Sequence, residues 1–148
     1  MADFIRLKIV TPEKVVYESE ISQVTVPTSS GQITILSNHL PLISVLAAGE
    51  LIIWGKDKSE TPMAISGGFV QVAKNEVTIL ADTAERSEEI DEARARAARE
   101  KALQLLSEVK NRESVEYTAL AAKMEKELAR LRVARKRRAP HYGPEINP

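Results

Sequence analysis

A chain of 148 residues with 43% hydrophobic and 28% charged residues has an ordinary soluble composition, long enough for one domain with an appendage or two small domains. No apolar run approaches the ~20 residues that span a bilayer, and MADFIRLKIV has neither the pattern of a secretion leader nor that of an organelle import sequence. The absence of cysteine excludes disulfides, thiolate metal sites and cysteine nucleophiles, and fits a cytoplasmic location.

Up to Ala84 the chain reads as strands. In FIRLKIV, Ile5, Leu7 and Ile9 alternate with Arg6 and Lys8, the period of a half-buried strand. VTVP and GQITIL repeat it, and GELIIWG, MAISGGFVQVA and EVTILA follow, rich in β-branched and aromatic residues. Turn signals fall between them at Thr11-Pro12, Ser30-Gly31, Lys56-Asp57 and Lys74-Asn75. HLPLISVLAAGEL is the most apolar stretch, and Pro41 argues against a central strand at its start. Gly67-Gly68 marks a bulge or a close backbone approach. About ten short strands at this spacing predict a β-sandwich or flattened barrel over residues 1–84.

After Thr83 the chain changes. No proline occurs between Pro62 and Pro140, and Ala, Glu, Arg, Lys and Leu dominate. A first helix, capped by Ser87 or Asp91, is expected to run to about Ser107. VKNRES reads as the connection, and a second helix runs from about Ser114 to Arg138, stopped by Pro140. Tyr117, Leu120, Met124, Leu128 and Leu131 recur at helical spacing on the second helix, opposite Ala93, Ala97, Leu103 and Leu106 on the first. The expectation is an antiparallel helical hairpin over 85–138, followed by a disordered tail over 139–148. The second helix would be roughly 37 Å long against a sandwich radius of gyration of ~12 Å. Both a permanently packed hairpin and a moving arm are compatible with that reach.

Charge divides along the same boundary. Up to Ala84 six Lys/Arg face nine Asp/Glu, and from Glu85 onward fifteen face twelve. The basic excess gathers in RLRVARKRR, with Arg130, Arg132, Arg135, Lys136, Arg137 and Arg138, a patch suited to an acidic partner. No catalytic constellation stands out. The two histidines are His39, beside a turn, and His141, in the tail. No GxxxxGK[ST] or GxGxxG motif occurs, and no Asp/Glu/His cluster has metal-ligand spacing. Asp91 and Arg94 share a helix face, where the plain reading is an exposed ion pair.

The order of these segments resembles the epsilon subunit of bacterial F-type (rotary) ATP synthase. GQITILSNHLPLISVLAAGEL carries the resemblance through Gly31, Ile33, Ile35, His39, Pro41-Leu42, Gly49 and Leu51, and SGGFVQVAKNEVTILADTAE, IDEARA and LARLRVA continue it. Ser37-Asn38 stands where Pro-Gly is common in that family, and Gln32 where Glu is frequent. The resemblance implies a non-catalytic rotor subunit at the cytoplasmic face of the membrane, bound to the gamma subunit, the c-subunit ring and the catalytic alpha/beta subunits. It touches the membrane only through that complex, and binds no nucleic acid. It couples ion flow to ATP synthesis. Gln32, His39 and Leu42 are implied at the gamma and c-ring interface, and the basic arm in restraint of ATP hydrolysis. No cofactor is required, but ATP is implied as a regulatory ligand at Glu85, Asp91, Arg94, Lys126 and Arg130. The alternative is a free-standing module whose basic hairpin docks on nucleic acid or an anionic membrane. LPLISVL separates the two, because a free module should bury it and a rotor subunit should leave part of it open.

Overall fold

The computed structural model describes residues 4–136. Ten strands form two five-stranded sheets. They are β1 (Ile5–Val10), β2 (Val15–Ile21), β3 (Gln23–Thr28), β4 (Gly31–Leu36), β5 (Leu42–Val45), β6 (Gly49–Trp54), β7 (Glu60–Ser66), β8 (Phe69–Ala73), β9 (Glu76–Leu80) and β10 (Thr83–Arg86). One sheet has the order β2-β1-β9-β8-β5, the other β10-β7-β6-β3-β4. Pairing is antiparallel except between β1 and β9. The alternation read in FIRLKIV is present: Ile5, Leu7 and Ile9 are buried and Arg6 and Lys8 exposed. They meet Val24, Val26, Leu51, Ile53, Val70 and Ile79 in the core between the sheets. Such two-layer burial of alternating side chains is what holds a sandwich together.

Three of the four turn signals fall between strands, and in the fourth Ser30 precedes Gly31, which opens β4. Lys74 and Asn75 both have positive φ, the geometry of the tight hairpin turn that joins β8 to β9. MAISGGFVQVA is not one strand. Gly67 and Gly68, both at positive φ, carry the chain from one sheet to the other. At Gly68 a Cβ would lie 1.7 Å from the Leu80 carbonyl oxygen, so the close backbone approach expected there is real.

The hairpin consists of α1 (Glu92–Glu108) and α2 (Val115–Lys136), preceded by a single 3-10 turn, Ser87–Glu89. Asp91 is the cap of α1: its Oδ1 accepts from the Arg94 amide at 3.1 Å. Ser87 opens the 3-10 turn instead. On α2, Tyr117, Leu120, Met124, Leu128 and Leu131 are buried or half-buried as expected. On α1 the inward face differs from the expected one. Ala93, Ala97 and Leu103 are exposed, while Ala95 and Ala102 are buried and Leu106 is half-buried. Helix 1 is so rich in alanine that several stripes look apolar, and only docking selects one. α1 packs on α2 and has no comparable contact with any strand, whereas α2 lies on β6 and β7. Val133 and Ala134 join Ala64 and Ile90 in a small apolar cluster that bridges hairpin and sandwich.

Candidate functional site

The outer face of the β2-β1-β9-β8-β5 sheet carries an apolar row across all five strands. Register pairs Val45 with Phe69, Phe69 with Leu80, Leu80 with Val10 and Val10 with Val15. Paired residues share a face, and all but the half-buried Val10 are exposed. Ile43, 72% exposed, flanks the row on β5. Phe69, Leu80, Val10, Pro12 and Gly68 line a shallow cleft of about 400 Å³ along its middle. Beside β5, the 37–41 loop presents Leu40, 79% exposed. Exposed large apolar groups in such continuity mark an interaction surface. Within LPLISVL, then, Leu40, Ile43 and Val45 are open, Leu42 is half-buried and Leu46 is buried.

The loop that presents Leu40 is pinned. The Asn38 amide donates to Asn75 Oδ1 at 2.6 Å, and Asn75 Nδ2 donates to Asn38 Oδ1 at 3.2 Å. Asn38 has φ 59°, a left-handed conformation that Gly or Asn adopts readily. This accounts for Asn at a position where Pro-Gly is common. His39 is half-buried and its Nδ1 is 2.7 Å from the Leu40 carbonyl, a satisfied turn residue. Gln32 is exposed on β4, opposite Pro27. Leu42 packs against the core rather than outward, because the period-two alternation turns its neighbour Ile43 to the surface.

The second cluster lies where α2 meets the sandwich. Arg130 Nε donates to Glu85 Oε2 on β10 at 3.1 Å, and its Nη1 donates to Glu127 Oε2 at 2.8 Å. The Arg130 side chain is 18% exposed and that of Glu127 7%. Burial alone would lower the Arg130 pKa. The hydrogen bond to Glu127 and the charges of Glu85 and Glu127 outweigh it, so the net shift is upward. Lys136 pairs with Glu50 on β6. The structure therefore unites Glu85 with Arg130, and adds Glu127. Sequence reading passed over Glu127, although its spacing of three from Arg130 was a signal. Asp91 and Arg94 form a separate, loose pair at 4.0 Å, with Arg94 86% exposed. Lys126 is half-buried one turn before Arg130. In the basic arm, Arg132 and Arg135 are exposed, and Arg130 and Lys136 are neutralised by acids of the sandwich. Arg137, Arg138 and the tail with His141 lie outside the described residues.

Residues 4–87 match the beta-sandwich domain of the ATP synthase delta/epsilon chain, and residues 88–135 match its long alpha-helix domain. The chain belongs to the ATP synthase delta/epsilon family. An ATP synthase epsilon chain of Chloroflexus aggregans is 48% identical over 131 residues, covering 88% of this chain and 91% of the relative. One from Herpetosiphon aurantiacus is 47% identical over 135 residues, 90% and 96% of the two chains. Among solved structures, a chain of the Euglena gracilis mitochondrial ATP synthase (OSCP/F1/c-ring) matches with a TM-score of 0.75 at 23% identity, covering 90% of this chain and 82% of the other. The fold is thus that of the family, with its sandwich and long-helix parts both present.

Proposed function

We propose that this protein is the epsilon-type rotor subunit in the central stalk of an ATP synthase, peripheral to the membrane on its cytoplasmic side. It couples ion flow to ATP synthesis and performs no chemistry itself. The observation that carries the reading is the exposed row Val45–Phe69–Leu80–Val10–Val15 with Ile43 and Leu40 beside it. A free-standing module would leave no reason for so much apolar surface on one sheet, whereas a stalk subunit needs a face for gamma. Gln32 and His39, at the β4–β5 edge, are assigned to the c-ring side of that interface. No helix of the described residues is long and apolar enough to cross a membrane.

The hairpin is the regulatory part, restraining ATP hydrolysis when it leaves the sandwich. Arg132 and Arg135, exposed on the docked helix, are its first contacts with acidic surfaces of the alpha/beta subunits, and Arg137 and Arg138 extend the same charge. Two of the four described basic residues of the arm are held by Glu85 and Glu50, which weakens the case for docking on nucleic acid or anionic lipid. ATP is a weak regulatory ligand of the docked hairpin, with Arg94 and Lys126 as phosphate partners and Glu85 or Asp91 toward the adenine or ribose. The test is reconstitution of the complex with residues 1–86, which keep β10 whole. The expected result is assembly, sustained coupled synthesis and raised hydrolysis. Failure to assemble, or hydrolysis unchanged with the shortened subunit bound, would refute this division of labour.

A further inference from the structure

We propose that the last ten residues of α2 form a charged latch that fastens the hairpin to the sandwich, with Arg130 as its bolt, Glu85 as its catch and Glu127 as a positioning residue. Three observations carry this. First, α1 packs on α2 and makes no comparable contact with a strand, so whatever holds α2 holds the whole hairpin. Second, the bridging apolar cluster is small, with Ala64 of β7 on the sandwich side and Ile90, Val133 and Ala134 on the helical side. Third, among the described residues both charged ties between α2 and the strands fall within Glu127–Lys136: Arg130 to Glu85 on β10, and Lys136 to Glu50 on β6.

The chemistry of the three side chains makes the tie switchable. Arg130 spends Nε on Glu85 and Nη1 on Glu127. Glu127 belongs to the same helix, one turn earlier, so it stays with Arg130 when the hairpin leaves. The guanidinium therefore keeps one counter-charge on leaving, and release breaks its bond to Glu85 together with the Lys136–Glu50 tie and the small apolar contact. Glu127 also aims the guanidinium, because a planar fork held at one edge presents its other edge in a fixed direction. This inference concerns the chain by itself and holds whichever surface the released hairpin meets.

The experiment uses the full chain, whose lack of cysteine lets Gln71→Cys and Lys101→Cys carry two spin labels without background. Both positions are exposed, one on β8 and one on α1. The distance distribution reports the released-to-docked ratio through a helix that makes no extensive contact with the latch residues' strands. Hydrogen bonds to charged groups are worth enough that Arg130→Ala or Glu85→Gln should raise this ratio about 10- to 100-fold. Combining them should add little to either alone, since both break one tie. Amide exchange in β8 and β9 confirms an intact sandwich, and Glu85→Gln, nearly isosteric, reads the same tie if Arg130→Ala does not fold. Ratios within twofold of the parent, or fully additive effects, would overturn the latch.

Discussion

The docking row makes a quantitative prediction at Phe69. The residue is 51% exposed, and a Phe side chain buries 150–250 Å² when fully covered, so roughly 100 Å² is open to a partner. At ~25 cal/mol per Å² that surface is worth about 2.5 kcal/mol if completely covered. Association recovers only part of such a term, because ordering and imperfect pairing oppose it. Phe69→Ala should therefore weaken binding to the gamma subunit by about 1–2 kcal/mol, roughly 5- to 30-fold in Kd. Leu80→Asp puts a carboxylate at the centre of the row, where it must be desolvated unpaired, and should cost about 100-fold or more. The assay is titration of the labelled chain with purified gamma. Glu125→Ala, exposed on α2 and away from this sheet, serves as a control expected to stay within about twofold of the parent. Thermal midpoints should hardly move, because Phe69 and Leu80 point away from the core. If Leu80→Asp bound gamma as the parent does, this sheet face would not be the docking surface.

Gly68→Ala should destabilise the sandwich by about 3 kcal/mol or more and lower the melting temperature by roughly 10 °C or more. Its φ is 97° and the added Cβ would collide with the Leu80 carbonyl; calorimetric melting decides it, and an unchanged midpoint would refute the close-approach argument. ATP should bind the isolated chain with a Kd of about 1 mM, since any phosphate reaching Arg130 must compete with Glu85 and Glu127. Titration calorimetry with Arg94→Ala as the control checks this: no heat at millimolar ATP, or equal heat from the control, would remove the nucleotide site.

Strand order could not be read from the chain, but strand content could. FIRLKIV and GQITIL announce themselves because one face is core and the other solvent. β2 was not picked out, since VVYESEI lies at a sheet edge and buries only Ile21 fully. The docking row was equally hidden. Its members come from five strands, each contributing one apolar residue at an outward position, and only register lines them up. On α2 the inward stripe was legible, yet the same helix buries a second set, Glu127, Val133 and Ala134, toward the sandwich. A helix covered on two sides has no single apolar stripe, so periodicity shows one partner and conceals the other. The acid-arginine ladder of α1 divides in the same way. Asp91 is first a cap, and Arg94 stands in solvent.

The distribution of buried apolar surface explains why charge can govern the hairpin. The large core cluster lies within residues Ile5 to Ala81, so the sandwich does not need the helices to close its interior. The bridging cluster has only two sizeable side chains, Ile90 and Val133, each worth about 1.5–3 kcal/mol when fully buried. Ala64 and Ala134 add about one methyl each, near 0.8 kcal/mol apiece. Against this stand the ordering of the Arg, Lys and Glu side chains in the seam, up to about 1.5–2 kcal/mol each. Apolar gain and ordering cost are therefore of the same size. With neither dominating, the two charged ties, Arg130 to Glu85 and Lys136 to Glu50, would be enough to decide between a docked and a released hairpin. A larger apolar seam would have fixed the helices in place whatever the charges did.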